Sequence, residues 1–172
     1  MDFFETVNSR YSYRGDFTSE KLKKDEIKKI LEAGISAPAG MHTYTTNYVA
    51  IDDPKLIEEM GKFMSSNGTK TAPFVLVILS ENKMGKGSMN FEIENYSAAV
   101  ENILLAVTAL GYSTVWTEGV CRTAVVNNGI RRLLNVPLNK TIKAVLPIGR
   151  AKNPESPKHR QKIAECVTFN HF

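Results

Sequence analysis

From Tyr96 to Gly111 the chain carries a single formal charge, Glu101. Val100, Ile103, Leu104, Val107 and Leu110 recur at the i, i+3, i+4, i+7 spacing of one helix face. Ala99, Leu105, Ala106 and Ala109 fill much of the remaining circumference. A helix that is apolar nearly all round is buried on most sides. This one is too short, and too often interrupted by polar residues, to cross a bilayer. The pattern predicts a core helix ended by Gly111 as its C-terminal cap. A short strand, Ser113 to Thr117, follows and runs into Glu118-Gly119. Read from these residues alone, that tip is either a plain turn on the core or a place where backbone N–H groups meet a ligand.

The same patterning predicts the other elements. Asp2 to about Arg10 reads as a short amphipathic helix with Phe3, Val7 and Phe4 as candidates for its buried side. A second helix, about Lys24 to Ser36, turns Ile27, Ile30, Leu31 and Gly34 inward and is stopped by Pro38. Tyr48 to Ile51 is a strand, and Pro54 suits the first turn of a helix reaching about Phe63. Ser65 to Gly68 reads as a loop. The apolar run from Pro73 to Leu79 reads as a buried central strand. Residues 81–89 form a flexible connection. Thr123 to Leu134 is a helix with Val125, Val126, Ile130, Leu133 and Leu134 as its buried candidates, and Ile142 to Ile148 is a second apolar strand. The remainder, 151–172, is polar and punctuated by proline. Helices and strands alternate without a strict βαβ rhythm, which points to a mixed α/β layer architecture.

A chain of 172 residues suits one domain, here 1–172, with a substantial core. Hydrophobic content of 42% and charged content of 23% are ordinary for a soluble globular domain. The first residues, Met1 to Glu5, lack the basic and apolar regions of a secretory signal, so the expected location is the cytoplasm. Cys121 and Cys166 show no metal spacing and are expected as free thiols. His42, His159 and His171 are too scattered for a metal site, and no metal is expected. The net charge of +4 is compatible with a phosphorylated small molecule. It lacks the aromatic and basic interleaving of a nucleic-acid surface, so no nucleic-acid or membrane partner is expected.

Two cationic clusters stand out. In an extended Arg10-Tyr11-Ser12-Tyr13-Arg14 segment, side chains alternate faces, so Arg10, Ser12 and Arg14 project together. Two forked guanidinium groups flanking a hydroxyl suit an anion; a solvated segment with two packed tyrosines is the other reading. Lys158 and Arg160 share a side near the far end if that segment is extended too. Should the clusters meet, they form a site for one phosphate group. Neither a P-loop nor a GxGxxG dinucleotide fingerprint is present. Ala37 to His42 is a loop of small residues that lets backbone approach a ligand closely.

The order of four pieces carries a resemblance: Arg10-Tyr11-Ser12-Tyr13-Arg14, Ala37-Pro38-Ala39-Gly40, Ala109-Leu110-Gly111 through Glu118-Gly119, and Pro157-Lys158-His159-Arg160. Over almost the whole chain they resemble the FMN-dependent nitroreductase family. The resemblance implies an α+β fold: a three-layer α/β sandwich with a mixed, mostly antiparallel central sheet flanked by helices. It implies that Arg10 and Ser12 bind the FMN phosphate and ribityl region with Lys158 and Arg160. Tyr11 would contribute backbone and packing contacts, and Arg14 would lie near the pyrimidine side of the ring. Pro38, Ala39 and Gly40 would line the ring edge, and the N–H groups of Glu118 and Gly119 would point at N5 and O4. It further implies a homodimer with FMN at the subunit interface. His42 stands where the family carries Asn, Tyr44-Thr45-Thr46 replaces Gln-Pro-Trp, and Ala39 replaces the usual Ser. The polar contact to the ring's pyrimidine edge then falls to His42. The short 81–92 connection implies an open pocket.

The activity implied is reduction of FMN by NAD(P)H and electron transfer to a nitroaromatic, quinone or similar acceptor. Such chemistry needs no protein nucleophile, since protein groups supply orientation and electrostatics. No catalytic side chain is therefore assigned; His42, Tyr44 and Glu118 are the candidates for proton delivery. The alternatives are a flavin-binding redox sensor with little turnover and a reductive flavin enzyme of different specificity on the same fold.

Overall fold

The computed structural model describes residues 1–64, 67–157 and 160–171. At its centre lies β2 (Phe74–Ser80), buried along its whole length. Val75, Val77 and Leu79 enter one core, while Phe74, Leu76 and Ile78 enter another on the opposite face. A continuous apolar run suits a strand covered on both faces. β2 pairs antiparallel with β1 (Thr46–Ile51) and with β4 (Thr141–Gly149), and β4 carries β3 (Ser113–Thr114) on its other edge. The sheet order is β1-β2-β4-β3. An isolated bridge between Ser12 and Thr114 adds a parallel pairing.

Helices cover the two faces. α2 (Lys24–Ile35) and α5 (Glu92–Ala109) supply Ile30, Val100, Ile103 and Val107 to one core. α3 (Pro54–Gly61) and α6 (Ala124–Leu133) supply Ile57, Met60, Val126 and Ile130 to the other. α4 (Asn67–Thr71) packs on α3, and α1 (Phe3–Ser9) packs on α5. α7 (Ile163–Cys166) lies in an exposed tail. The result is the three-layer α+β arrangement expected.

Two glycines explain the placement of α5. A Cβ at Gly34 would lie 2.8 Å from Ile103 Cδ1, so its absence lets α2 approach α5 closely. Gly111 has φ of +77°, and its N–H donates to Thr108 O while the Tyr112 N–H donates to Val107 O. This is the paired closure of a helix C-terminus on a left-handed residue. The chain turns there directly into β3.

Some local expectations are corrected. Phe3 and Phe4 are exposed, because α1 turns Thr6 inward. Val125 is 77% exposed, on the outer side of the first turn of α6, and Leu133 and Leu134 are only half-buried. α5 starts at Glu92, before the run of apolar residues that signals it. The strand expected over Ser113 to Thr117 is two residues long, with a separate bridge from Thr117 to Val145. Of the expected 65–68 loop, Asn67 and Gly68 open α4, and Ser65 and Ser66 lie outside the described residues. Among the described residues, no helix is long and apolar enough to cross a membrane.

Gly111→Ala should lower stability by about 1–2 kcal/mol, the cost of a left-handed L-residue, read as a lower urea midpoint at unchanged slope. The two thiols should also separate. Burial, reinforced by the Glu118 charge, pushes the Cys121 thiol up to about 11, whereas Cys166 is exposed. At about pH 8 Cys121 is then roughly a thousandth thiolate. Ellman's reagent should titrate one thiol quickly in the native protein and the second only on unfolding; two fast thiols would contradict this packing.

Candidate functional site

α1 ends at Arg10 with extended backbone, φ −60° and ψ 130°. Tyr13 is buried and meets Phe17 edge-on at 5.1 Å. The alternation predicted for Arg10 to Arg14 holds for Arg10, Ser12, Arg14 and Tyr13, whereas half-buried Tyr11 borders the arginine side as well. Arg10, Ser12 and Arg14 line a cavity of ≈ 250 Å³, completed by Tyr11, Glu155, Ser156 and Arg160. The Arg10 guanidinium lies 3.5 Å from Glu101 on α5. With Glu101 half exposed, that pair orients Arg10 more than it stabilises the fold.

The two tyrosines join the chain's ends. The Asn153 N–H donates to Tyr13 Oη at 3.4 Å, and the Glu155 N–H donates to Tyr11 Oη at 3.2 Å. A bridge from Phe17 to Ala151 continues the clamp. Arg160 Nη2 donates to Arg10 O at 2.8 Å, closing a separation of 150 residues. The two cationic clusters thus meet through Arg160. Lys158 lies outside the described residues.

The other expected site residues lie away from it, most of them lining separate cavities, while Gly40 and Gly119 line none of those described. Pro38 and Ala39 line one of ≈ 220 Å³ with Tyr44, Tyr48 and Asn95. His42 and Tyr44 line one of ≈ 510 Å³ with Lys83 and Lys86. Glu118 lines another of ≈ 510 Å³ with Tyr96, Arg122 and Lys143. Within one chain, none of these residues shares the arginine cavity. Gly119 opens a short 3-10 turn, Gly119–Arg122, and a Cβ there would meet nothing within 4 Å, so its backbone is open to approach.

Three α5 residues that sequence reasoning did not single out as site residues position these pieces. Asn95 is 4% exposed and fully engaged. It accepts from Gly40 N–H at 2.8 Å and donates to Thr43 O at 2.7 Å and Thr45 Oγ1 at 3.1 Å. Tyr96 donates to Glu118 Oε1 at 3.1 Å, and Arg122 donates to the same oxygen at 2.6 Å. Burial, then the Glu118 charge, raises the Tyr96 phenol, so it stays a donor near neutral pH. Glu101 is the third. The sequence signal for Asn95 is a lone amide at the head of an apolar helix, a place that demands buried partners.

A profile of the nitroreductase family matches residues 7–71 and 62–150. A protein of Archaeoglobus fulgidus, provisionally named NADH dehydrogenase/NAD(P)H nitroreductase, is 27% identical over 138 residues, covering 80% of this chain and 79% of its own length. A protein of Methanothermobacter thermautotrophicus with the same provisional name is 28% identical over 156 residues, covering 90% and 80%. Among solved structures, an FMN-dependent nitroreductase from Clostridium difficile superposes with a TM-score of 0.84 at 22% identity, over 99% of this chain and 100% of that one. The profile spans most of the sequence and the superposition spans the fold: the chain belongs to the nitroreductase family.

Proposed function

We propose that this chain is an FMN-dependent oxidoreductase that takes electrons from NAD(P)H and passes them to a nitroaromatic, quinone or similar acceptor. The observation that carries the reading is the meeting of Arg10, Ser12, Arg14 and Arg160 in one cavity. That donor set fits a phosphate monoester, because guanidinium forks match phosphate oxygens. Glu155 in the same lining accepts hydrogen bonds only, which suits the hydroxyls of a sugar-alcohol phosphate better than a bare phosphate ion.

FMN, when bound, supplies two-electron chemistry at N5, taking hydride from a nicotinamide and releasing electrons to the acceptor. The chain's own part is binding and orientation. Arg10, Ser12, Arg160 and, in this reading, Lys158 hold the phosphate and ribityl region, with Tyr11 packing beside them. Arg14 brings positive charge to the pyrimidine side of the ring and favours its reduction. Glu118 and Gly119 offer backbone N–H groups to the N5 and O4 edge; Tyr96 and Arg122 hold the Glu118 carboxylate and so fix that turn. Pro38, Ala39, Gly40 and His42 line the ring edge on a loop pinned by Asn95. His42 and Tyr44, both exposed, and Glu118 are the candidates to hand on a proton.

The separation of the Pro38 loop from the arginine cavity supports a site completed by a second copy of the chain. Exposed Phe3, Phe4, Ile35, Ile163 and Phe169 supply apolar surface for such a pairing. Sedimentation analysis should therefore find a dimer; a monomer that still binds FMN would overturn this part.

The flavin reading is tested by the visible absorption of protein supplied with FMN, then by anaerobic addition of NADH or NADPH. A flavin band that bleaches is the expected result, and no band after FMN addition would overturn the reading. Arg10→Ala with Arg160→Ala should weaken FMN by about 1.5–3 kcal/mol per lost contact. The preference for FMN over riboflavin should fall with it, at unchanged far-ultraviolet circular dichroism.

A further inference from the structure

Beyond the arginine cavity, the described cavities differ in how their cations are used. Beside Glu118, Lys143 pairs with Glu92 at 2.9 Å and Arg122 pairs with Glu118, so that cavity is neutralised. The cavity lined by Met41, His42, Thr43, Tyr44, Lys83, Met84, Gly85 and Lys86 contains no carboxylate. Among the described residues, neither Lys83 nor Lys86 has an acidic partner. Tyr44 is 70% exposed, an open ring in the same lining as the two lysines.

This cavity is built rather than incidental. Its 81–91 wall is closed by Asn90 Nδ2 donating to Asn82 Oδ1 at 2.6 Å and by Gly85 N–H donating to Met89 O at 2.8 Å. Its 40–44 wall is held by Asn95, and two successive non-glycine residues, Met41 and His42, adopt left-handed backbone with φ of 52° and 54°. Such strain persists only where surrounding contacts impose it. The walls meet closely: a Cβ on Gly85 would lie 2.9 Å from Thr43 Oγ1, and one on Gly40 would lie 2.2 Å from Phe91 Cγ. The loop that shapes this cavity is the one that, under the function proposed above, lines the flavin ring.

We propose that Tyr44, Lys83, Lys86 and His42 form a subsite for a flat aromatic ring carrying a negatively charged group, belonging to the molecule that exchanges electrons with the flavin. The inference rests on that flavin reading for its role, and on this cavity for its chemistry. Tyr44 offers a stacking face. The lysines are mobile point charges suited to phosphate or carboxylate, and the His42 imidazole is a further hydrogen-bonding group. Two sources carry this chemistry: the phosphoadenosine end of NADPH and a carboxylated aromatic acceptor.

Calorimetric titration separates them, on wild-type protein and on the double variant Lys83→Ser, Lys86→Ser. The probe pairs are 2′-AMP against adenosine, and 4-nitrobenzoate against 4-nitrobenzyl alcohol. At least one anionic probe should bind about tenfold or more tightly than its neutral counterpart, as contacts to charged groups imply. That preference should weaken with added salt and collapse toward unity in the double variant. The pair that shows it identifies the source. Tyr44→Leu should weaken both members of that pair by roughly two- to tenfold, leaving their ratio in place. Equal binding within both pairs, or a preference that survives loss of both lysines, overturns the subsite. FMN affinity measured on the same preparations keeps the two readings apart. Tight FMN with no anion preference removes the subsite and leaves the flavin reading standing. Anion preference without FMN binding removes the electron-exchange role assigned to it.

Discussion

The burial of α5 against the sheet is the constraint on which the rest depends. Val100, Ile103 and Val107 are fully buried, so the helix has one rotation and one depth it can adopt. Once that rotation is set, its polar residues have fixed targets. Asn95 reaches the 40–45 loop, Tyr96 reaches Glu118, and Glu101 reaches Arg10. A helix shifted by one residue would turn each of these by about 100° and take Asn95 off the groups it now satisfies. Packing and site geometry are therefore the same fact seen from two faces of one helix.

The second organising feature is the clamp between the chain's ends. Tyr13 buries its ring, Tyr11 packs half-buried against the same core, and their hydroxyls accept from backbone N–H groups at Asn153 and Glu155. This brings Arg160 to Arg10 without any strand joining the two segments. Placing like charges together costs electrostatic energy in the absence of an anion. Here the pairing of Arg10 with Glu101, and Glu155 in the same lining, relieve part of that repulsion.

Backbone conformation divides the molecule as well. Gly111 adopts left-handed backbone where a helix must turn sharply into a strand, a local requirement that glycine meets freely. Met41 and His42 adopt it without that freedom, inside a loop pinned by Asn95 and by close contact with Phe91. The first case is economical construction of a fold. The second is strain located beside two exposed lysines and an exposed tyrosine.

Hydrophobic periodicity by itself determined the core helix, the two apolar strands and the burial of Ile30 in α2 and of Val126 and Ile130 in α6, because burial repeats at the period of the element that carries it. Alternation in Arg10-Tyr11-Ser12-Tyr13-Arg14 likewise placed two arginines and a serine on one side. What the tertiary structure alone decided was which distant pieces meet. Nothing local in the sequence joins Arg160 to Arg10, or Asn95 to Gly40, since those contacts depend on how buried surfaces pack across the sheet. Phe3, Phe4 and Val125 were misplaced for a related reason. An apolar residue at a helix end reads as buried, yet a short helix or a first turn has only one side against the core, and its angle of approach is set by neighbours that the local pattern does not contain.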